Sequence, residues 1–118
     1  MKADAHYAKG QRLDATQAKL DPATDWESII EGCYMSAHNY LLAGAEWLGF
    51  AHAQSHMHRE NANLLKKANA PLEVREAWDR LEVLRAGNVY GARTNGVASA
   101  DARNRLRIIG NWAAMSHP

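Results

Sequence analysis

Residues 25–48, DWESIIEGCYMSAHNYLLAGAEWL, decide the fold class of this chain. Apolar residues recur in this stretch at steps of three and four, which is the spacing that lines one face of an α-helix. The positions that follow this spacing are Trp26, Ile29, Ile30, Cys33, Ala37, Tyr40, Leu41, Gly44, Ala45 and Leu48. A helix with so long an apolar face must be covered by other elements, and the stretch therefore predicts a long helix packed inside a domain.

The rest of the chain also favours helices. Prolines stand only at positions 22, 71 and 118, and no alternating strand pattern or internal repeat interrupts the sequence. Further helices are predicted over residues 3–19, 57–69, 71–86 and 99–115. Short connections between amphipathic helices favour antiparallel neighbours. The sequence therefore predicts an all-α fold, an up-and-down bundle of four to five helices, in a single domain over residues 1–118.

Composition narrows the class of protein. Of the 118 residues, 47% are apolar and 23% are charged, which is ordinary for a soluble globular chain. Cys33 is the only cysteine, which excludes a disulfide framework and a zinc site made of thiolates. The uncharged stretch over residues 32–45 is too short and too polar to span a bilayer. We therefore expect a cytoplasmic protein that does not contact the membrane.

Charge is unevenly distributed along the chain. The net charge is −3 over residues 1–50 and +4 over residues 51–118. Residues 85–107 alone hold five arginines and a single acidic residue, Asp101. A local basic region is compatible with an anionic partner such as a nucleotide or RNA. It is equally compatible with a solvated helix face on which arginines provide solubility.

The stretch LRAGNVYGARTNG, residues 84–96, places polar and glycine-rich material between two predicted helices. Arginine offers a fork of donors to a phosphate, and tyrosine offers a ring on which a base can stack. The interpretation of this stretch as a nucleotide- or RNA-binding site assigns that role to Arg85, Asn88, Tyr90 and Arg93, with added positive charge from Arg103 and Arg107. The alternative is a helix end followed by glycine turns, with the tyrosine packed into the core.

Two kinds of chemistry have only weak support in the sequence. The glycines at 87, 91 and 96 match neither the P-loop nor the dinucleotide-binding motif, so no cofactor is expected. His52, His56 and His58 lie close together, and His52 and His56 have the spacing of a helical metal-binding pair. The segment lacks a His-Glu-x-x-His signature, and we expect a polar junction between helices rather than a metal site. A three-histidine site for Zn²⁺ or Ni²⁺ stays open.

The order of these features resembles a known family. The long helix of residues 25–48 precedes a loop and a helix with histidines near its start, SHMHRENANLL. The segment AWDRLEVLR then leads into a Tyr-Gly turn, a loop and a final helix containing RLRIIGNWA. Over roughly residues 5–115 the chain resembles the HEPN superfamily (higher eukaryotes and prokaryotes nucleotide-binding), especially its small stand-alone prokaryotic members.

The resemblance implies a four- or five-helix bundle that is usually dimeric. It also implies action on RNA, or pairing with a nucleotidyltransferase partner protein in a toxin–antitoxin operon. Ribonucleases of the family carry an arginine followed, after four to six residues, by a histidine. Here Arg85 matches the family arginine by position, but Tyr90 stands five residues on, and none of the nine arginines has a histidine at that spacing. Without an imidazole, the proton transfers of 2′-hydroxyl attack lose their best group at neutral pH.

These observations lead to one expectation and two alternatives. We expect a non-catalytic HEPN-like homodimer that binds nucleotide or RNA, or a partner protein, through Arg85, Asn88, Tyr90 and Arg93. The first alternative is a divergent, metal-independent ribonuclease that uses Arg85 with a histidine from the 52–58 cluster. The second is a helical dimerisation module without a ligand.

Overall fold

The computed structural model describes residues 2–50, 57–88 and 96–118, and the side chains of residues 57–59, 88 and 96 lie outside that description. Every regular element in these ranges is an α-helix, which confirms the predicted all-α helical bundle. The helices are α1 (Ala3–Ala18), α2 (Trp26–Trp47), α3 (Met57–Lys67), α4 (Leu72–Asn88) and α5 (Gly96–Ser116). In this part of the chain, no helix has both the length and the apolar composition needed to cross a membrane.

Helix α2 is the centre of the bundle and packs against each of the other four helices. Its apolar positions Ile29, Ile30 and Leu41 are fully buried, as the spacing of three and four requires. Cys33 is also fully buried, and this burial raises the pKa of its thiol to about 12. The cysteine therefore packs as a small apolar side chain.

Contacts between side chains give the directions of the helices. The Ser36 hydroxyl of α2 donates to the Gly10 carbonyl of α1 at 2.7 Å, and Tyr7 packs against Trp47, so these two helices are antiparallel. In α4, Trp78 packs on Tyr34 and Arg85 contacts Glu31, which makes α4 antiparallel to α2 as well. Contacts of α5 increase in residue number together with those of α2, in the pairs Tyr40–Gly110, Gly44–Trp112 and Trp47–His117. Helices α1 and α4 therefore run opposite to α2 and α5.

Tyr40 of α2 lies between α1 and α5. A β-carbon at Gly10 in α1 would stand 2.8 Å from the Tyr40 ring, and one at Gly110 in α5 would stand 3.3 Å from its other edge. At Gly10 a β-carbon would force the ring or the backbone to move, whereas at Gly110 a small adjustment of the ring would admit it. The Tyr40 hydroxyl donates to Asp14 at 3.2 Å. Tyr40 therefore packs between α1 and α5, which both contact α2.

Candidate functional site

A polar groove lies between α1 and α5 and has a volume of about 330 Å³. We call it the arginine groove. Its lining positions recur at steps of three and four on both helices, so a single face of each helix forms each wall. The lining residues are Asp14, Gln17 and Ala18 of α1 together with Arg103, Leu106, Arg107, Gly110 and Asn111 of α5.

A chain of hydrogen bonds fixes the polar side chains of the arginine groove. The two carboxylate oxygens of Asp14 accept from the Tyr40 hydroxyl at 3.2 Å and from the Gln17 side-chain amide at 2.9 Å. The amide oxygen of Gln17 in turn accepts from Nε of Arg103 at 2.8 Å. Gln17 is only 4% exposed, and both ends of its amide are satisfied in this way. Asp14 and Gln17 therefore hold the Arg103 guanidinium in one orientation.

Arg103 also closes the C-terminal end of α1. Its Nη2 donates to the backbone carbonyl of Gln17 at 2.8 Å and to that of Leu20 at 3.0 Å. Carbonyls at a helix C-terminus lack partners within the helix, and a guanidinium compensates both their hydrogen bonding and their partial negative charge. These contacts use three of the five N–H donors of Arg103. Its two donors on Nη1 have no partner among the described residues.

Arg107 stands one helical turn beyond Arg103. The two arginines are four residues apart in α5, and both line the arginine groove. Arg107 is exposed, and its one hydrogen bond, to Asn104 at 3.5 Å, is long. Within the described ranges, neither arginine forms an ion pair with a carboxylate. The groove therefore presents two guanidinium groups that are not paired with any described carboxylate, although the Asp14 carboxylate lines the same groove.

The neighbouring arginines of this region are paired with a carboxylate. Arg105 and Arg80 both donate to Asp101, at 3.0 and 2.8 Å. Burial opposes ionisation of this carboxyl, but the two arginine hydrogen bonds outweigh it and hold the pKa of Asp101 below its usual range. Arg105 is two residues from both Arg103 and Arg107 but is paired with a carboxylate. It can therefore serve as a control for substitutions of the groove arginines.

Arg85 has a different environment from Arg103 and Arg107. Its Nε and Nη2 donate to the two carboxylate oxygens of Glu31 at 2.8 and 3.0 Å, and its guanidinium lies 4.2 Å from the centre of the Tyr34 ring. The Arg85 side chain is 18% exposed. The structure therefore separates Arg85, which packs on α2, from the two arginines of the groove. An anion at Arg85 would have to compete with Glu31.

The other predicted site residues lie outside the part of the chain that the structure describes. Tyr90 and Arg93 fall in the segment 89–95, and His52 and His56 fall in the segment 51–56. The backbones of Asn88 and His58 belong to α4 and α3, but their side chains are outside the described set. Binding by Asn88, Tyr90 and Arg93, and any role of the three histidines, stay predictions.

Reasoning from the sequence missed three polar residues of the arginine groove, which are Asp14, Gln17 and Asn111. Their spacing within each helix was visible, but the pairing of α1 with α5 was not. No protein-family model, no curated protein and no solved structure matches this chain. A function for this chain must therefore be argued from the residues of the groove.

Proposed function

We propose that this chain is a non-catalytic, HEPN-like helical domain that binds the phosphate groups of a nucleotide or RNA in the arginine groove. The observation that carries the proposal is the presence of Arg103 and Arg107 in one groove, with no carboxylate paired to either among the described residues. An arginine fork matches the oxygens of a phosphate group in both geometry and charge. The HEPN-like part of the proposal rests on the resemblance of the sequence to that superfamily.

The two arginines have different roles in this proposal. Arg103 is held by Gln17 and by the end of α1, so its free Nη1 is a preorganised donor that loses little side-chain freedom on binding. Arg107 is exposed and reaches the ligand from the rim, where Asn111 adds an amide. The carboxylate of Asp14 orients Gln17, because its Oδ1 accepts from the Gln17 side-chain amide.

A salt-dependent binding measurement tests the proposal. Fluorescence anisotropy of a labelled single-stranded RNA is recorded with the wild type, with Arg107→Ala and with Arg105→Ala at several salt concentrations. Loss of one phosphate contact weakens binding and reduces the slope of log affinity against log salt by about 1. We expect this result for Arg107→Ala. Arg105→Ala removes the same formal charge from the same helix, but this charge is already paired with Asp101.

Two results would contradict this assignment, and a competition experiment identifies the source of the phosphate. Binding by Arg107→Ala that equals the wild type, or an equal loss with Arg105→Ala, contradicts the assignment of the groove. Competition by unlabelled ATP distinguishes the two sources of phosphate. ATP at low concentration displaces the labelled RNA if the groove is a nucleotide site, and it does not displace the RNA if the groove is an RNA site.

A homodimer, the usual state in the resembling family, is also part of the proposal. Leu72 and Val83 support it, because both are large apolar side chains of α4 that are 62% and 57% exposed. Eleven residues correspond to three turns of helix, so the two side chains lie on the same face of α4. Light scattering measures the mass directly, and Val83→Asp lowers it to that of one chain if this face is the interface. A nucleotidyltransferase partner and a toxin–antitoxin pair remain further proposals from the resemblance.

A further inference from the structure

A second groove continues along the same two helices towards their other ends, with a volume of about 470 Å³. Tyr7 of α1 and Trp47 of α2 form its aromatic wall, with ring centres 5.3 Å apart and ring planes inclined by 45°. His117 packs edge-on against Trp47 at 4.4 Å between ring centres. Asp4 and Gln11 of α1 complete the polar part of the lining. We call this the aromatic groove.

The electrostatics of the aromatic groove are opposite to those of the arginine groove. Asp4 is the carboxylate of its lining; its side chain is 86% exposed, and its Oδ1 lies 3.9 Å from Nε2 of His117. The faces of tyrosine and tryptophan rings carry the negative part of the ring quadrupole. Lysine and arginine are absent from the described lining. These features favour a cation.

The directions of the helices add negative potential at the aromatic groove. Trp47 is the last residue of α2, and Ala114 lies in the last turn of α5, so the C-terminal ends of two parallel helices meet at the aromatic groove. Each C-terminus carries a partial negative charge of about half an electron. The N-terminus of α1 contributes one partial positive charge, about half the sum of the two partial negative charges from α2 and α5.

The chemistry of the lining selects the kind of cation. Among the described residues, no group of three or more histidine, cysteine, aspartate or glutamate side chains is placed to hold a metal ion, and Asp4 is the single carboxylate of the lining. A methylated ammonium group is weakly hydrated, is attracted by aromatic faces and gains from one nearby carboxylate. We propose that the aromatic groove binds a methylated ammonium group, either in a small molecule of the choline type or in a trimethylated lysine of a partner.

A comparison of two ligands of the same shape tests the charge requirement. The intact protein is titrated by calorimetry with choline, with its tert-butyl analogue in which carbon replaces nitrogen, and with a peptide containing trimethyllysine. Choline, the peptide or both bind about tenfold more tightly than the neutral analogue if ring faces and Asp4 recognise the cation. Preference for choline or for the peptide identifies the source of the group.

Substitutions locate the site. Trp47→Leu abolishes the preference for the cation, whereas Trp47→Phe retains part of it, and Asp4→Asn weakens binding several-fold. Asp21→Asn, in the link between α1 and α2, is the matched control and leaves binding unchanged. Equal affinity for the charged and neutral ligands, or no binding of either cation, overturns the proposal. Arg107→Ala is expected to leave cation binding intact, so this proposal and RNA binding can fail separately.

Discussion

Arg103 donates to both the side-chain oxygen and the backbone carbonyl of Gln17, each at 2.8 Å, and thereby ties α5 to the end of α1. These residues are 86 positions apart in the chain. The same contact closes a helix end and orients a cation in the arginine groove. Stability and ligand binding therefore depend on a shared side chain, and different substitutions are needed to separate them.

Arg103→Ala is expected to lower the free energy of unfolding by about 2 kcal/mol. The change removes three hydrogen bonds that involve a charged donor and leaves the buried Gln17 amide oxygen without a partner. Urea denaturation measures the effect. Arg107, in the same groove, makes one long hydrogen bond, so Arg107→Ala should change the free energy of unfolding by less than about 0.5 kcal/mol. Equal stabilities of the two variants would contradict the capping role of Arg103.

Gly44→Ala should destabilise the bundle by about 1–3 kcal/mol, because the new methyl group would stand 2.6 Å from the ring of Trp112. Gly110→Ala is the matched control in a neighbouring helix. Its methyl group would stand 3.3 Å from Tyr40, and the better helix propensity of alanine, worth about 1 kcal/mol, offsets the contact. Thermal unfolding of both variants checks the difference. A Gly44→Ala protein that is as stable as Gly110→Ala would show that α2 and α5 are not packed this closely.

Arg85→Ala separates a structural from a ligand-binding role of this residue. The substitution removes a two-point ion pair with Glu31 and the contact with the Tyr34 ring, and we expect a loss of about 1–2 kcal/mol in stability. Arg85→Lys keeps the charge but not the fork, and should be intermediate. Unchanged stability combined with lost RNA binding would instead place the ligand at Arg85, as the sequence predicts.

Acid should weaken the contact between α4 and α5 through Asp101. Its pKa is lower in the folded chain than the usual 3.8, so the unfolded chain binds more protons between these two values. The stability that Asp101 contributes is therefore complete above its unfolded pKa and is lost as pH falls through the folded pKa. Urea midpoints of the wild type and Asp101→Asn, measured from neutral pH down to pH about 2, should converge at the acid end. A constant difference between them at every pH would contradict the pairing with Arg80 and Arg105.

Cys33 should be unreactive in the native protein. Its side chain is fully buried and its pKa is raised to about 12, so the nucleophilic thiolate is absent at ordinary pH. Titration with a chromogenic disulfide reagent should detect no thiol in buffer and one thiol per chain in urea. Fast reaction in buffer would mean that the centre of α2 is open to solvent.

The helices could be predicted from the sequence, whereas the partners of the arginines could not. Spacing alone identified α2, but residues 39–45 are all buried, so the helix is covered on more than the one face that local periodicity reveals. The charge count over residues 85–107 treated its five arginines as equivalent sources of positive charge. In the structure, Arg85 is paired with Glu31, 54 positions away, and Arg105 is paired with Asp101, so only part of that charge faces a groove. Pairing across the bundle depends on which helices are neighbours, and no local pattern contains that information.

The most direct test of the arginine groove is to observe which amides respond to the ligand. Two-dimensional NMR spectra of ¹⁵N-labelled protein are recorded during addition of a short single-stranded RNA. Changes concentrated at Gln17, Arg103, Arg107 and Asn111, and absent from the Arg107→Ala variant, are the result that we predict. Changes centred on Arg85 and Glu31, or a spectrum that does not respond to RNA, would contradict binding in the groove between α1 and α5.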